Sequence, residues 1–338
     1  MLVMEELASW LTVRSVKGLG ERSIKKLWNR YRSARAILEA PVDELVEVVG
    51  RKKAQAIRDR EGVSDRKVER TLYLVKREGV GWLTLESELY PPPLRDIPDP
   101  PPVLFYMGVW EERSLAGVVG ARKATAYTLG WTKEVVKELV GTGIGIVSGG
   151  APGVDRQAHL SALESSGYTV CVLGTGILRA KGDLFGRIKE GKGLLVSELD
   201  LLERGSSFTF PRRNRLIAAL SDFLLVPQAG KRSGALITAG FAREYGKKVY
   251  VHIGLGSSSL WDGCYELVKK YGAELVKGAG DFLPKSSRDA LAEFLCVPRT
   301  VDELADFWGV STGEALSRLS RLELEGKVEK VGPYYRSA

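Results

Sequence analysis

The chain has 338 residues, 44% of them hydrophobic and 27% charged, with a formal net charge of +8 at pH 7. These are the proportions of a globular protein with room for two or three domains, and no run of about eighteen apolar residues offers a membrane span. The opening segment MLVMEELASW carries acids where an export leader carries bases, so a cytoplasmic location is expected.

Cys171, Cys264 and Cys296 are scattered, lack metal-ligand spacing, and read as small buried apolar residues in a reducing compartment. His159 and His252 are the only histidines, so neither a metal nor another cofactor is expected. Charge is unevenly spread. Residues 1–80 hold 18 Lys and Arg against 12 Asp and Glu, residues 81–282 hold 24 against 21, and residues 283–338 hold 8 against 9. A polyanionic partner is therefore expected to meet the first two regions.

Within residues 1–80, VKGLGERSIKKLW around Gly20 returns thirty residues later as VEVVGRKKAQAIR around Gly50. In each copy an apolar stretch ends at Gly and a helix begins, with Ile24 and Leu27, then Ala54 and Ile57, at helical spacing. This resembles a tandem helix-hairpin-helix (SAM-like) domain, a motif that contacts DNA backbone through the amides at a helix start. Lys17, Arg22, Lys25 and Lys26 flank the first hairpin, and Arg51, Lys52 and Lys53 flank the second. The residues alone leave DNA contact and simple packing both open.

Residues 81–108 contain two triple-proline runs and read as an extended connector to a core spanning residues 81–282. Apolar strands are expected at Leu115–Val119, Ile144–Ser148, Thr169–Leu173, Leu194–Ser197, Phe223–Val226 and Lys248–His252. Helices are expected between most of them, at Tyr127–Val140, Val154–Ser165 and Leu236–Tyr245. Such alternation implies an α/β fold with a parallel sheet covered on both faces and ligands at the carboxyl ends of its strands.

Four loops should meet at that edge. Strand one ends in Gly120, Arg122 and Lys123; strand two runs through Ser148, Gly149, Gly150 and Gly153 into a helix, an anion cradle of backbone amides. Phe210, Arg212, Arg213, Asn214 and Arg215 begin another helix, and Lys231, Ser233 and Gly234 a further one. Guanidinium forks suit phosphate oxygens, and three arginines in four residues are difficult to bury together. The glycine turn does not match the dinucleotide fingerprint, so a nicotinamide is disfavoured. Asp155 and His159, four apart on a helix, read as pinning the turn, with an acid–base pair as the alternative. Glu198 reads as a loop cap rather than a catalytic acid. Phe210 reads equally as a base-stacking ring and as a staple holding the helix start.

The runs SGGAPGVDRQAHLSAL, FPRRNRLIAALS and SGALITAGFA, with WLTLESELYPPPLRDIPDPPPVLFYMG before them, are similar to the signature of the DNA-processing protein A family, also called DprA or Smf. The resemblance implies an extended Rossmann-like core that forms a homodimer, binds single-stranded DNA in a basic pocket without being an enzyme, and hands it to the RecA recombinase in natural transformation. The family's Gly-Ser-Arg element falls on Gly120, Ala121 and Arg122, and its Phe-x-x-Arg-Asn-Arg element on Phe210, Arg213, Asn214 and Arg215. Its Ser-Gly element falls on Ser233, Gly234 and Thr238. Arg122, Arg213, Arg215 and Lys231 would neutralise phosphates. Two departures stand out: GILRAKGDLF at 176–185 replaces a Tyr-Pro pair with its basic residue, and Ile253-Gly254 replaces Pro-Gly.

Residues 283–338 read as a winged helix, with capping boxes at Thr300–Glu303 and Ser311–Glu314, a recognition helix near 311–325 and a strand pair within 327–335. Its slightly acidic balance favours contact with protein or self-association over duplex DNA. Two rival functions remain for the whole chain: hydrolysis of a nucleotide N-glycosidic bond, and sensing of a nucleotide messenger.

Overall fold

A computed structural model of the chain describes residues 2–252, 254, 258–283, 291 and 294–337. The chain divides into two compact units, residues 1–279 and 280–338. Ile253, one of the two departures noted above, lies outside the described residues.

The larger unit begins with helices Leu2–Ser15, Glu21–Tyr31, Ala34–Glu39, Val42–Val49, Arg51–Arg58 and Asp65–Glu78. The two repeated glycine turns fall between helices: Gly18 and Gly50 have φ of 76° and 81°, a region that a side chain would strain. Leu7, Trp10, Ile24, Leu27, Ile37, Leu45, Ala54 and Ile57 are buried together, and Ile24, Leu27, Ala54 and Ile57 among them are the helical-period positions expected from sequence.

Nine strands follow: β1 (Gly81–Thr84), β2 (Val103–Gly108), β3 (Leu115–Val118), β4 (Gly145–Ser148), β5 (Thr169–Val172), β6 (Gly193–Ser197), β7 (Phe223–Val226), β8 (Lys248–Val251) and β9 (Glu274–Leu275). They form one sheet in the order β1-β2-β6-β5-β4-β3-β7-β8-β9. From β6 to β9 all neighbours are parallel, and the six expected strands stand within a residue of their places. Each of the central strands is buried on both faces, as its continuous apolar run requires. Helices Ala126–Gly141, Val154–Glu164, Thr209–Leu220 and Ala235–Glu244 cover the sheet. Strand order reverses at β3, which lies between β4 and β7, so a crevice opens at the carboxyl ends of these strands.

Residues 81–108 are not the extended connector expected. They form β1, a short helix Pro92–Asp96 and β2, which pairs antiparallel with both β1 and β6. Pro92 and Pro93 sit in the first helical turn, where a missing amide costs nothing. Tyr90, Leu94, Ile97 and Val103–Phe105 are buried, and the Tyr90 hydroxyl donates to the Pro101 carbonyl at 2.8 Å. The prolines therefore separate the edge strand β1 from its neighbour β2 in the same sheet.

In residues 280–338, helices Val301–Trp308 and Thr312–Leu324 open on Thr300 and Ser311, both complete capping boxes. Strands Val328–Val331 and Tyr334–Ser337 pair, and Arg299–Thr300 joins them. Leu291, Leu295, Leu304, Leu319, Val328 and Tyr335 make a separate small core. Cys171 and Cys264 are buried as expected, whereas Cys296 is exposed. Among the described residues no helix is long and apolar enough to cross a membrane.

Candidate nucleic-acid interface

At the strand-order reversal lies a cleft of about 800 Å³. Gly120, Ala121, Arg122 and Lys123 after β3 form one wall; Gly230, Lys231, Arg232, Ser233 and Gly234 after β7 form the other. Phe210, Arg213 and Asn214 from helix Thr209–Leu220 close the end. Arg122, Lys123, Lys231 and Arg232 are exposed at its mouth, and only Lys231 has a carboxylate near, Asp262 at 3.6 Å, among the described residues. Asn214 Nδ2 donates to the Gly234 carbonyl at 3.4 Å, and the Ser233 hydroxyl caps the next helix start by accepting from Ala235 N. Beneath, Gln228 Oε1 accepts from Thr125 N at 3.0 Å and from the Thr128 hydroxyl at 2.7 Å, tying the floor to helix Ala126–Gly141.

The glycine turn after β4 is not the open amide cradle expected. Asp155, buried at the start of its helix, accepts from Gly120 N at 3.3 Å and from Gly149 N at 3.1 Å, so these amides are turned inward. Burial raises the Asp155 pKa against the pull of Arg213. Ser148 is fully buried and donates to the Val118 carbonyl at 2.6 Å. Gly150 and Gly153 have φ of 71° and 83°, and a Cβ on Gly153 would lie 2.2 Å from the Ala121 carbonyl oxygen. Ser148, Gly149, Gly150 and Gly153 thus shape the wall, while Ala151 and Asp155 line the cleft. Pinning, the favoured sequence reading of Asp155, is what its geometry does. His159 does not join it: Nδ1 pairs with the Thr169 hydroxyl at 2.7 Å, and burial depresses its pKa to about 3.

The three arginines divide. At about 100° per residue, positions 212 and 215 share one face of the helix and 213 turns away from them. Arg215 is 2% exposed; its Nη atoms donate to the two Glu198 carboxylate oxygens at 2.8 Å, and Nε to Asp99 at 3.1 Å. Burial opposes this charge, but Glu198 and Asp99 overcome it and raise the guanidinium pKa. Arg212 pairs with Glu21 and Glu198. Both therefore face the junction with the amino-terminal helices, which corrects their expected place in the pocket. Arg213 borders the cleft but is 6% exposed, donating to the carbonyls of Gly149 at 2.9 Å and of Val172. Burial lowers its pKa, with Asp155 resisting. Arg213 and Arg215 are buried and Arg212 is half-buried, and the three are met by three carboxylates, Glu21, Asp99 and Glu198, and by several carbonyls that sequence spacing did not reveal.

Phe210 is 38% exposed and lines the cleft, while its ring also packs on the neighbouring loops, where a Cβ at Gly174 or Gly205 would lie 2.4 or 2.6 Å from it. Phe208, which the sequence reading passed over, is 69% exposed. A second aromatic two residues before the motif was the available signal. Among the cations of the hairpins, Lys17 pairs with Glu61, Lys25 donates to the Asp96 and Ile97 carbonyls, and Lys53 donates to the Ser23 hydroxyl. Arg22, Lys26, Arg51 and Lys52 are exposed.

Residues 81–287 match the model of the DNA recombination-mediator protein A family, and residues 11–60 match that of the SAM-like helix-hairpin-helix tandem. Protein Smf of Synechocystis is 32% identical over 300 residues, covering 82% of this chain and 72% of its own. Among solved structures, DNA processing protein A of Streptococcus pneumoniae is similar with a TM-score of 0.69 and 28% identity, over 80% of this chain and 94% of that one. The Helicobacter pylori protein, whose structure describes a single-stranded DNA binding mode, is similar with a TM-score of 0.53 and 30% identity, over 60% and 93%. With the family model spanning the whole sheet and the motif-bearing loops around its cleft, the chain belongs to the DNA recombination-mediator protein A family.

Proposed function

We propose that this protein binds single-stranded DNA in the cleft at the β3–β7 reversal, as a non-enzymatic mediator that protects DNA and delivers it to the RecA recombinase during transformation. The observation that carries the reading is the set of four exposed cations, Arg122, Lys123, Lys231 and Arg232, around the cleft. Cations so placed neutralise successive phosphates without reading bases. The similar Helicobacter pylori protein supports the choice of a single strand. Catalysis is disfavoured because the carboxylates of the cleft are committed: Asp155 to two amides, and Asp262 to Lys231. Delivery to RecA, a homodimer, a cytoplasmic location and a winged-helix role for residues 283–338 rest on the family resemblance and on the charge pattern.

The test is a polarisation titration of labelled oligo-dT and of its duplex across a salt series. Tight, salt-sensitive binding that prefers the single strand is expected. Equal weak binding of both would refute the reading.

A further inference from the structure

We infer that the strand's path does not end at the cleft but continues over the loops following β5 and β6, where Phe208 serves as a base-stacking post; this rests on the single-strand reading above. Phe208 is among the most exposed large apolar side chains of the larger unit, at 69%. It is not on a loose loop. Ser206 N donates to the Thr209 hydroxyl at 2.8 Å, and the Ser206 hydroxyl accepts from Thr209 N at 3.1 Å and Phe208 N at 3.3 Å. The Thr209 hydroxyl in turn reaches the Gly174 carbonyl at 2.8 Å. A turn closed from both sides and anchored to the neighbouring loop thus holds an aromatic ring out in water. Such an arrangement has its ordering entropy removed before any ligand arrives.

The surroundings fit a polyanion with π-faces. The loop after β5 is laced to the loop after β6: Gly176 N donates to the Glu203 carbonyl at 2.9 Å, Leu178 N to the Leu201 carbonyl at 3.0 Å, and Arg179 Nε to the Leu202 carbonyl at 3.0 Å. This brings Arg179, Lys181 and Arg204 onto adjoining loops with Phe208, all exposed and without an ion pair among the described residues. The carboxylates of the same loops are engaged: Asp200 with Arg14 and Lys67, Asp183 with Arg156, and Glu203 with the Asp200 amide. Phe210 and Pro211, which line the cleft, follow Phe208 in the chain with only Thr209 between. Cleft and post are therefore continuous along the carboxyl edge of the sheet. The sequence 176–185, which lacks the family's Tyr-Pro pair, contributes Arg179 and Lys181 to this second station. Alternating rings and cations is the arrangement that tracks a single strand.

The experiment compares wild type, Phe208→Ala, Phe208→Trp and Arg204→Ala by polarisation, using a labelled oligo-dT short enough to fill only the cleft and one several nucleotides longer. For the long oligonucleotide, Phe208→Ala is expected to bind about tenfold more weakly with an unchanged salt slope, since the lost contact is uncharged. Phe208→Trp should bind as wild type, with its added indole emission quenched on binding. Arg204→Ala should lower the salt slope by about 0.7. The short oligonucleotide should bind all four alike. Failure of wild type to bind either length would remove the single-strand reading itself. Binding of the long oligonucleotide by Phe208→Ala at wild-type affinity overturns the inference alone. So does an equal loss for both lengths, which would put the ring inside the cleft. Phe208 is exposed, so matched melting curves check that the variants are folded.

Discussion

Arg215 and Arg122 show how one residue type serves two ends. The Arg215 guanidinium is enclosed with Glu198 and Asp99, whereas Arg122 is exposed at the cleft. Arg215→Met leaves Glu198 buried and is expected to cost about 3–5 kcal/mol of stability, measured by urea unfolding. Arg122→Ala should change stability by no more than about 0.5 kcal/mol. His159 carries a pH signature. Burial depresses its pKa from 6.5 to about 3, so between those values the unfolded chain binds a proton that the folded chain refuses. Its contribution is complete above pH 6.5 and is lost as pH falls toward 3. Asp155, raised by burial, acts in the opposite direction on acidification. Unfolding curves at pH 7 and pH 4.5 should therefore differ less for His159→Gln than for wild type; an equal difference would show that His159 titrates normally.

At the scale of an element, the turn into helix Val154–Glu164 is built by exclusion. Val154 N donates to the Ala121 carbonyl at 3.2 Å, so two loops meet backbone to backbone at Gly153. Gly153→Ala combines a strained φ with a clash against a carbonyl that cannot step aside. It should lower stability by more than about 1 kcal/mol and weaken oligonucleotide binding by displacing Arg122. Gly50, with a similar φ but open space around its Cβ, should lose only the smaller conformational cost on the same substitution. Comparing the two melting shifts separates crowding from backbone strain. Helix Thr209–Leu220 shows a related economy: one face holds the amino-terminal helices through Arg212, the other borders the cleft through Phe210 and Asn214.

For the whole molecule, charge is distributed between docking and binding. Arg14 and Lys67 of the helical region converge on Asp200 of the core, so part of the amino-terminal excess of cations is consumed internally. Burial lowers the Arg14 pKa to about 10, with Glu203 and Glu198 opposing. The cations left exposed at the cleft should set the salt response. For a single strand the slope of log K against log salt falls by about 0.7 per phosphate contact removed, and Arg122→Ala is expected to show one such step. A slope identical to wild type would mean that Arg122 meets no phosphate.

The sequence by itself determined the strands and most helices of the core, because an apolar run between glycine turns satisfies the same burial rule in any parallel sheet. It also determined the hairpin repeat and the capping boxes, whose signals are local: a residue at a turn, an acid three positions on. It placed the edge where the cleft opens, since alternation of strand and helix puts the loops there. Only the tertiary structure decided which groups at that edge are free. Gly149 commits its amide to Asp155, and Arg215 commits its charge to Glu198 and Asp99, partners distant in the chain or hidden by a bend. The prolines at 91–93 became a pause between β1 and β2 because Phe105–Gly108 found β6. Burial and pairing are decided by three-dimensional neighbours, and a list of residue types along one chain does not name them.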